Sequence, residues 1–352
     1  MSVPHDIVIS ACGTLSALGI GLEESSAAWQ EGESACFPAT RLTPPEEADN
    51  LVGEVPAFAL ADLLTTPKAY LDRQSELLLA AAAMARRTGL LDDRNFAPER
   101  TGLAIGTAWG GMQTLDLFFA DYVAKGPRLV KPILFPNSYA NAAISLVAME
   151  WEVRGPHLNF VSGDVASTQA LIAALDLLRS GEADLVMAGG AEGLSLPRWR
   201  ARLAAGNRQP PGEGAALFLV EHEATAHARG AAPLARLLGG ALRGGPPANL
   251  AATGSTTIRE ALAEAGLAPN AIRACLTTQR SVPFLESHAA WRVCVADDLY
   301  GDVEGAGGAL LAACALFDPA STLPALVFTS SPDGNAAALV LGPPPAANSS
   351  GT

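Results

Sequence analysis

Two stretches of the chain, FVSGDVASTQA (Phe160–Ala170) and YGDVEGAGGALL (Tyr300–Leu311), decide the fold. Each places Gly-Asp-Val directly before a run of small apolar residues, which is typical of a turn that enters a buried helix. A strand pattern follows each helix, ADLVMAGG from Ala183 and PALVFTSS from Pro324. The repetition predicts a duplicated strand–helix–strand unit. Helices this apolar on every side must lie between layers, so we expect stacked sheets with helices sandwiched between them.

The other patterns alternate between strands and helices, as in an α/β protein. Further strands are predicted at 6–11, 101–107, 156–163, 212–222, 271–278, 325–330 and 335–341. Helices are predicted at 20–31, 71–88, 110–125, 256–266, 284–291 and 303–316, and in FPNSYANAAISLVAMEWEVRG from near Asn137 or Ser138. We divide the chain into an N-terminal half (1–225), a C-terminal half (226–342) and a flexible tail (343–352).

Composition narrows the classes of function. The 352 residues are 49% apolar and carry a net charge of −13, which disfavours nucleic acid or an anionic membrane as a partner. No signal peptide or transmembrane pattern is visible, so we expect a cytoplasmic protein. The five cysteines have no CxxC or Cys/His spacing, so neither a disulfide framework, a zinc site nor another cofactor is predicted; they are Cys12, Cys36, Cys275, Cys294 and Cys314.

Longer segments, taken in order, resemble the β-ketoacyl synthase family, the condensing enzymes of fatty acid and polyketide synthesis. The segments include IVISACGTLSALG, YLDRQSELLLAAAA, GLAIGTAWGG, FPNSYANAAIS, VRGPHLNFVSG, GEADLVMAGGAE, GEGAALFLVEHEATAHARGA, EALAEAGLAPNAIRACL and GNAAALVLG. The resemblance implies the thiolase fold, in which two duplicated halves form a five-layer α-β-α-β-α sandwich.

The resemblance also implies where catalytic residues would stand. Family members use a cysteine nucleophile, two histidines and a lysine. In this chain Asp164 takes the place of the cysteine, Thr278 and Asp302 those of the histidines, and Asp297 that of the lysine. The family's GFGG gating loop is replaced by SSPD, Ser330–Asp333.

These replacements remove the chemistry of condensation. A thiolate must hold the acyl chain as a thioester, and neutral imidazole donors must stabilise the negative charge that develops on the decarboxylating unit. Carboxylates at 164 and 302 would repel that charge. We therefore expect no catalytic residue for condensation in this chain.

Three interpretations of the two aspartates remain open. Asp164 and Asp302 can act as helix N-caps, which stabilise a helix by about 1 kcal/mol. They can form a carboxylate pair in which one stays ionised and the other acts as a general acid. They can also belong to an ordered site that binds an acyl chain without reacting.

Two other segments carry hypotheses. Arg198, Arg200 and Arg202 surround Trp199, and we interpret them as a solvated loop, with docking of a phosphopantetheine or an acidic carrier protein as the alternative. Trp109 either sets the chain length or packs in the core. Residues expected in the acyl tunnel or the dimer contact are Trp109, Gly110, Met112, Phe135, Asn137 and Tyr139.

A condensing-enzyme fold without its catalytic set resembles a chain length factor. Such subunits form a heterodimer with an active ketosynthase and shape its acyl tunnel. We expect pairing through the strand His157–Ser162, and contact with an acyl carrier protein and its phosphopantetheine mainly through the partner. The compact chain favours an aryl polyene pathway. The alternatives are a stand-alone acyl-thioester hydrolase or transacylase that uses Asp164 and Asp302, and a pure scaffold.

Overall fold

The computed structural model describes residues 6–92, 95, 97–285 and 288–346. Its strands are β1 (Ile7–Ser16), β2 (Gly19–Ile20), β3 (Phe37–Pro38), β4 (Leu51–Val52), β5 (Thr101–Thr107), β6 (His157–Val161), β7 (Leu185–Glu192), β8 (Gly214–His222), β9 (Ala235–Gly244), β10 (Ala274–Thr277), β11 (Arg292–Val295), β12 (Ala325–Ser330) and β13 (Asn335–Gly342). Its helices are α1 (Gly21–Glu31), α2 (Arg73–Thr88), α3 (Met112–Lys125), α4 (Ala142–Glu150), α5 (Ala166–Arg179), α6 (Leu196–Ala204), α7 (Glu223–Ala228), α8 (Leu250–Glu264), α9 (Asp297–Tyr300), α10 (Gly307–Ala315) and α11 (Pro319–Thr322). The predicted tail lies outside the described residues from position 347 onward.

The two halves of the chain build sheets of the same topology. The first sheet has the order β6-β5-β7-β8-β1 and the second the order β11-β10-β12-β13-β9. When the five strands of each sheet are numbered in chain order, both orders are 3-2-4-5-1. In both sheets the first two pairings are parallel and the last two antiparallel. This shared topology confirms the duplication that the Gly-Asp-Val repeat predicts.

The layers follow from which faces are apolar. Helices α5 and α10 lie between the two sheets and contribute small and aliphatic side chains to the central core. Helices α2 and α4 cover the outer face of the first sheet, and α8 covers that of the second. A short pairing of β1 with β9 joins the sheets edge to edge. The predicted five-layer sandwich is therefore confirmed.

The two central helices cross at very short range. A Cβ atom on Gly308 of α10 would lie 1.9 Å from Oγ1 of Thr168 on α5. The Ser167 hydroxyl of α5 accepts a hydrogen bond from the amide of Ala309 at 3.0 Å. Only a glycine at 308 allows this approach, so the starts of the two helices are held at a fixed separation.

Elements that differ from the prediction include a strand that was not predicted and a helix that is not found. Strand β9 was not expected because Gly239 and Gly240 interrupt its pattern; here α8 packs so closely that a Cβ on Gly239 would lie 2.7 Å from a backbone nitrogen. The helix predicted at 284–291 is not found in its described part, and the strand β11 follows it. Across the described residues, no helix is long and apolar enough to cross a membrane.

Candidate functional site

The first corner joins β6 to α5. Gly163 has φ +61°, the left-handed conformation that glycine adopts without strain, and starts a 3-10 turn through Val165. Asp164 lies buried in this turn. Its side chain makes no cap hydrogen bond to the helix and instead accepts one from Nη1 of Arg280 at 2.9 Å. The helix-cap interpretation of Asp164 is therefore wrong.

The second corner is preceded by the short helix α9 rather than by a strand. One oxygen of Asp302 accepts the amide of Glu304 at 3.0 Å, a local cap of the turn before α10. The other accepts from Arg202 at 2.6 Å, Arg280 at 2.8 Å and Asn207 at 3.1 Å. Asp302 thus caps its turn, but its main partners are cations.

Arg280 connects the two corners. It lies in the loop after β10, and its two terminal nitrogens bind Asp164 and Asp302 separately. Although burial opposes the charge, these carboxylates and Glu304 raise the pKa of the guanidinium. The corners therefore converge, as the resemblance implies, but a fixed cation stands between their side chains.

Two further arginines of the site come from α6. Arg198 has no exposed surface and Arg202 only 3%, so the interpretation of this segment as a solvated loop is wrong for both; Arg200 is exposed. Arg198 donates to Glu304 at 2.7 Å and to the carbonyls of Gly193, Gly212 and Asp302 at 3.3, 2.7 and 2.7 Å. Buried cations are found where carboxylates and carbonyls satisfy them, so α6 is part of the second corner.

Glu304 is a site residue that the sequence reasoning missed. It is buried and has φ +46°, a strained conformation for a residue with a side chain. Its carboxylate accepts from the Trp109 indole at 2.6 Å, from Arg198 at 2.7 Å and from Arg202 at 2.9 Å. The available signal was a charged residue inside VEGAGG, an otherwise small and apolar segment that follows Asp302.

Glu192, the last residue of β7, holds the loop that carries Trp109. Its oxygens accept from the amides of Ala108 at 2.7 Å and Trp109 at 3.2 Å, and from the Thr107 hydroxyl at 3.2 Å. Complete burial raises the pKa of Glu192 to about 8, against the opposing effects of Arg198 and these amides. The loop after β5 is therefore tied to the same buried cluster.

Asp164 and Asp302 differ in protonation. Burial raises the pKa of Asp164 to about 7, Arg280 opposes this, and the neighbouring carboxylates add to it. Burial also acts on Asp302, but Arg202 and Arg280 together hold its pKa well below the usual range. The pair is therefore split, with Asp302 ionised and Asp164 able to take up a proton near neutral pH.

We expect the free energy of unfolding to fall as pH rises from about 5 to about 8. In the unfolded chain Asp164 and Glu192 lose their protons near pH 4, whereas in the fold they keep them until about pH 7 and about 8. The folded state binds more protons in this window, so stability decreases by up to about 1.4 kcal/mol per pH unit for each group. Urea unfolding at several pH values measures the slope. Glu192→Gln should make the slope shallower, while Asp164 still contributes up to about pH 7; an unchanged slope in that variant would contradict the assignment.

Thr278 and Asp297 lie near the corners in structural roles. The Thr278 hydroxyl donates to Ser281 at 2.9 Å. Asp297 accepts from the amide of Gln279 at 2.8 Å and from the side chain of Gln209 at 3.0 Å, and burial raises its pKa to about 6. These contacts occupy the two side chains that the resemblance puts in place of a histidine and the lysine.

A small cavity of about 230 Å³ remains beside the corners; it is lined by Ala108, Trp109, Gly163, Asp164, Arg280, Glu304, Ser331 and Pro332. The last two belong to the SSPD segment. The amide of Ser331 donates to the Asn335 carbonyl at 2.9 Å, and proline has no N–H. Neither residue offers a free amide to a developing oxyanion.

Thiols and imidazoles of the described chain lie away from this cavity. Burial raises the pKa of the Cys275 thiol to about 12 and raises those of the Cys12 and Cys314 thiols far above the usual range. His157 lies on the edge strand β6, and His288 stacks on Trp291. The remaining two described histidines pair with acidic residues at the surface, His222 with Asp6 and His227 with Glu223.

The predicted tunnel residues fall into two adjoining groups. Trp109 and Gly110 lie in the loop after β5, and Met112 begins α3. Phe135 and Asn137 lie in the 3-10 turn Pro132–Asn137, and Tyr139 follows two residues after its end. The groups touch, because a Cβ on Gly110 would lie 2.5 Å from the Cα atom of Ala140.

An apolar face covers α3 and the segment after it. Within it, the rings of Phe118 and Phe135 lie 5.5 Å apart, and those of Phe135 and Tyr139 lie 4.9 Å apart. We define the apolar face by its exposed members, Leu117, Phe119, Tyr122, Val123, Leu129, Ile133, Phe135 and Tyr139. So many exposed large apolar residues indicate a surface that is covered in an assembly.

Known proteins are similar to this chain in sequence. The chain is 25% identical over 299 residues to the 3-oxoacyl-[acyl-carrier-protein] synthase 2 of Staphylococcus aureus strain N315, covering 78% of this chain and 72% of that protein. It is 26% identical over 348 residues to the protein of the same name from Coxiella burnetii, covering 86% and 83%.

Two solved structures share the fold. The ishigamide ketosynthase/chain length factor superposes with a TM-score of 0.86 at 22% identity, covering 96% of this chain and 98% of that one. One chain from the complex of the ketosynthase ApeO with its chain length factor ApeC from Xenorhabdus doucetiae gives a TM-score of 0.77 at 20% identity, covering 97% of this chain and 100% of that one. The family model described as "Beta-ketoacyl synthase, N-terminal domain" matches residues 5–211, more than half of the sequence. The chain therefore belongs to the β-ketoacyl synthase family, and its thiolase-like fold is the one that the sequence predicts.

Proposed function

We propose that this chain is a non-condensing subunit of the chain length factor type, which pairs with an active ketosynthase and shapes its acyl tunnel. The observation that carries the proposal is the ion pair of Asp164 with Arg280 at 2.9 Å. Asp164 stands at the nucleophile position, and Arg280 fills the space between it and Asp302. A carboxylate locked onto a guanidinium cannot hold an acyl chain as a thioester.

Two surfaces support a partner of the same fold. Strand β6 is the edge strand of its sheet, so its outer backbone groups are free to pair with another strand. The apolar face supplies hydrophobic area for a subunit contact. Two solved structures with this fold are described as ketosynthase–chain length factor assemblies, and a third as a ketosynthase with its acyl-carrier protein. We propose a heterodimer that meets its carrier protein and phosphopantetheine mainly through the partner, in the cytoplasm and in an aryl polyene pathway.

The test is reconstitution with the ketosynthase that co-purifies with this chain. We expect product only when both subunits are present. Replacing the nucleophilic cysteine of the partner should abolish product, whereas Asp164→Asn here should leave turnover within about two-fold, since asparagine still accepts the Arg280 hydrogen bond. Chain analysis of the carrier-bound product gives the measurement. If the ketosynthase gives the same products with and without this chain, the proposal fails.

A second function is favoured by the split protonation of the aspartates. Burial raises the pKa of Asp164 to about 7, and its carboxyl group lies across Arg280 from an ionised Asp302, so it can carry the proton of a general acid near neutral pH. A hydrolase or transacylase of this kind predicts turnover of acyl thioesters by the chain alone, lost in Asp164→Asn. Assay of the isolated chain against thioesters of several lengths separates the two proposals.

A further inference from the structure

We infer that Glu304 is a positioning residue that fixes the Trp109 indole as the end wall of the acyl tunnel and so sets the length of the product. The inference rests on the proposed function, because a chain must enter the tunnel to meet that wall. Glu304, a buried acidic residue, thereby has a function in a subunit that does not catalyse condensation.

The carboxylate of Glu304 is held in place by contacts that do not involve the indole. Arg198 and Arg202 donate to its two oxygens at 2.7 and 2.9 Å, and its own amide donates to Asp302 at 3.0 Å. The left-handed backbone at φ +46° persists because these contacts over-determine it. The Trp109 Nε1–H then donates to this fixed oxygen at 2.6 Å, a charge-assisted hydrogen bond.

The other end of the tryptophan is held as well. Its backbone amide donates to Glu192 at 3.2 Å, and the following amide, of Gly110, donates to the Thr107 hydroxyl at 3.0 Å. Both the base of the side chain and the tip of its ring are thereby fixed. A half-buried tryptophan on a loop would otherwise exchange between rotamers.

The position of Trp109 gives this fixation a consequence. Its ring lines the cavity that contains Asp164 and Arg280. The next two residues pack against the segment that carries the apolar face; Cβ atoms on Gly110 and Gly111 would lie 2.5 Å from Ala140 and from the Asn137 carbonyl. Trp109 therefore lies where the charged cluster adjoins the segment that carries the apolar face. A hydrocarbon chain stops at the ring, because burial against unscreened charges beyond it is unfavourable.

The hydrogen bond can be observed without a substrate. The chain has five tryptophans, so ¹⁵N-tryptophan labelling gives five indole signals, and Trp109→Phe identifies one of them by its loss. We expect that proton signal downfield, and we expect Glu304→Gln to move it upfield. Glu260→Gln, at an exposed pair with Arg243, is the matched control and should leave it in place. An unmoved signal in Glu304→Gln would overturn the inference.

Product length is the second readout, measured on the assembled heterodimer. We expect Glu304→Gln and Trp109→Phe each to shift the products toward longer chains. If Glu304 acts through the indole, the double variant shows no more than the effect of Trp109→Phe; additive effects would overturn the inference. Should Glu304→Gln fail to fold, the wild-type spectrum decides, because a Trp109 indole proton that is not shifted downfield overturns the inference. Unchanged lengths in a complex that forms and makes product overturn the inference only, whereas a ketosynthase indifferent to the wild-type chain overturns the proposed function.

Discussion

Arg198→Met should lower the free energy of unfolding by about 3–5 kcal/mol, the cost of leaving a buried charge without its partner. Arg198 has no exposed surface, and its removal takes from Glu304 one of its two close arginine partners and from three backbone carbonyls a hydrogen-bond donor. Methionine keeps much of the side-chain length, so the loss reports on the charge and the hydrogen bonds rather than on volume. Urea denaturation at neutral pH measures the change.

The matched control is Arg243→Met. Arg243 pairs with Glu260 at the surface, where both side chains are largely solvated. Exposed ion pairs contribute little because water screens them, so this variant should unfold at nearly the wild-type midpoint. Equal stability of the two variants would show that the buried cluster adds nothing beyond a surface pair, and our account of the corners would then be wrong.

Val161→Asp should abolish co-purification with the ketosynthase partner. Val161 ends the edge strand β6 and is 54% exposed, so the substitution leaves the isolated chain intact. In a heterodimer paired through this strand it places an unpaired carboxylate in the contact, and we expect affinity to fall at least about 100-fold. Pull-down and size-exclusion chromatography measure the loss.

The duplication supplies the control for this prediction. Strand β11 holds the same topological position in the second half as β6 holds in the first, and it is also an edge strand. Val293 on β11 is 42% exposed. Val293→Asp should therefore leave the complex intact. If both variants lose the partner equally, or if neither does, pairing through β6 is disproved.

The doubled architecture was accessible from sequence because local patterns repeat. Asp164 and Asp302 each follow a glycine and precede a helix of small residues, and this pattern can be recognised in the sequence without knowing which residues are in contact. Strand β9 escaped detection because its glycines satisfy a packing requirement imposed by α8, which is remote in sequence.

The chemistry of the site was only partly accessible. Comparison of motifs predicts that Asp164 takes the place of the nucleophile, but its partner is Arg280, 116 positions away in a segment with little resemblance to the family. Arg198 and Arg202 were assigned to the surface because arginine is rarely buried. Their burial becomes favourable only when the fold brings carboxylates and carbonyls to them.

The tight crossing of α5 and α10 has a consequence for how such a site can change over time. Because no side chain fits at Gly308, the backbone rather than the occupants sets the gap between positions 164 and 302. The gap accepts any side chains that can meet across it, whether they react with a substrate or, as here, form ion pairs through a third residue. Point substitutions can thus exchange one pair for another while the scaffold stays unaltered. For a nucleophile at position 164 to react across this gap, Arg280 would have to leave it.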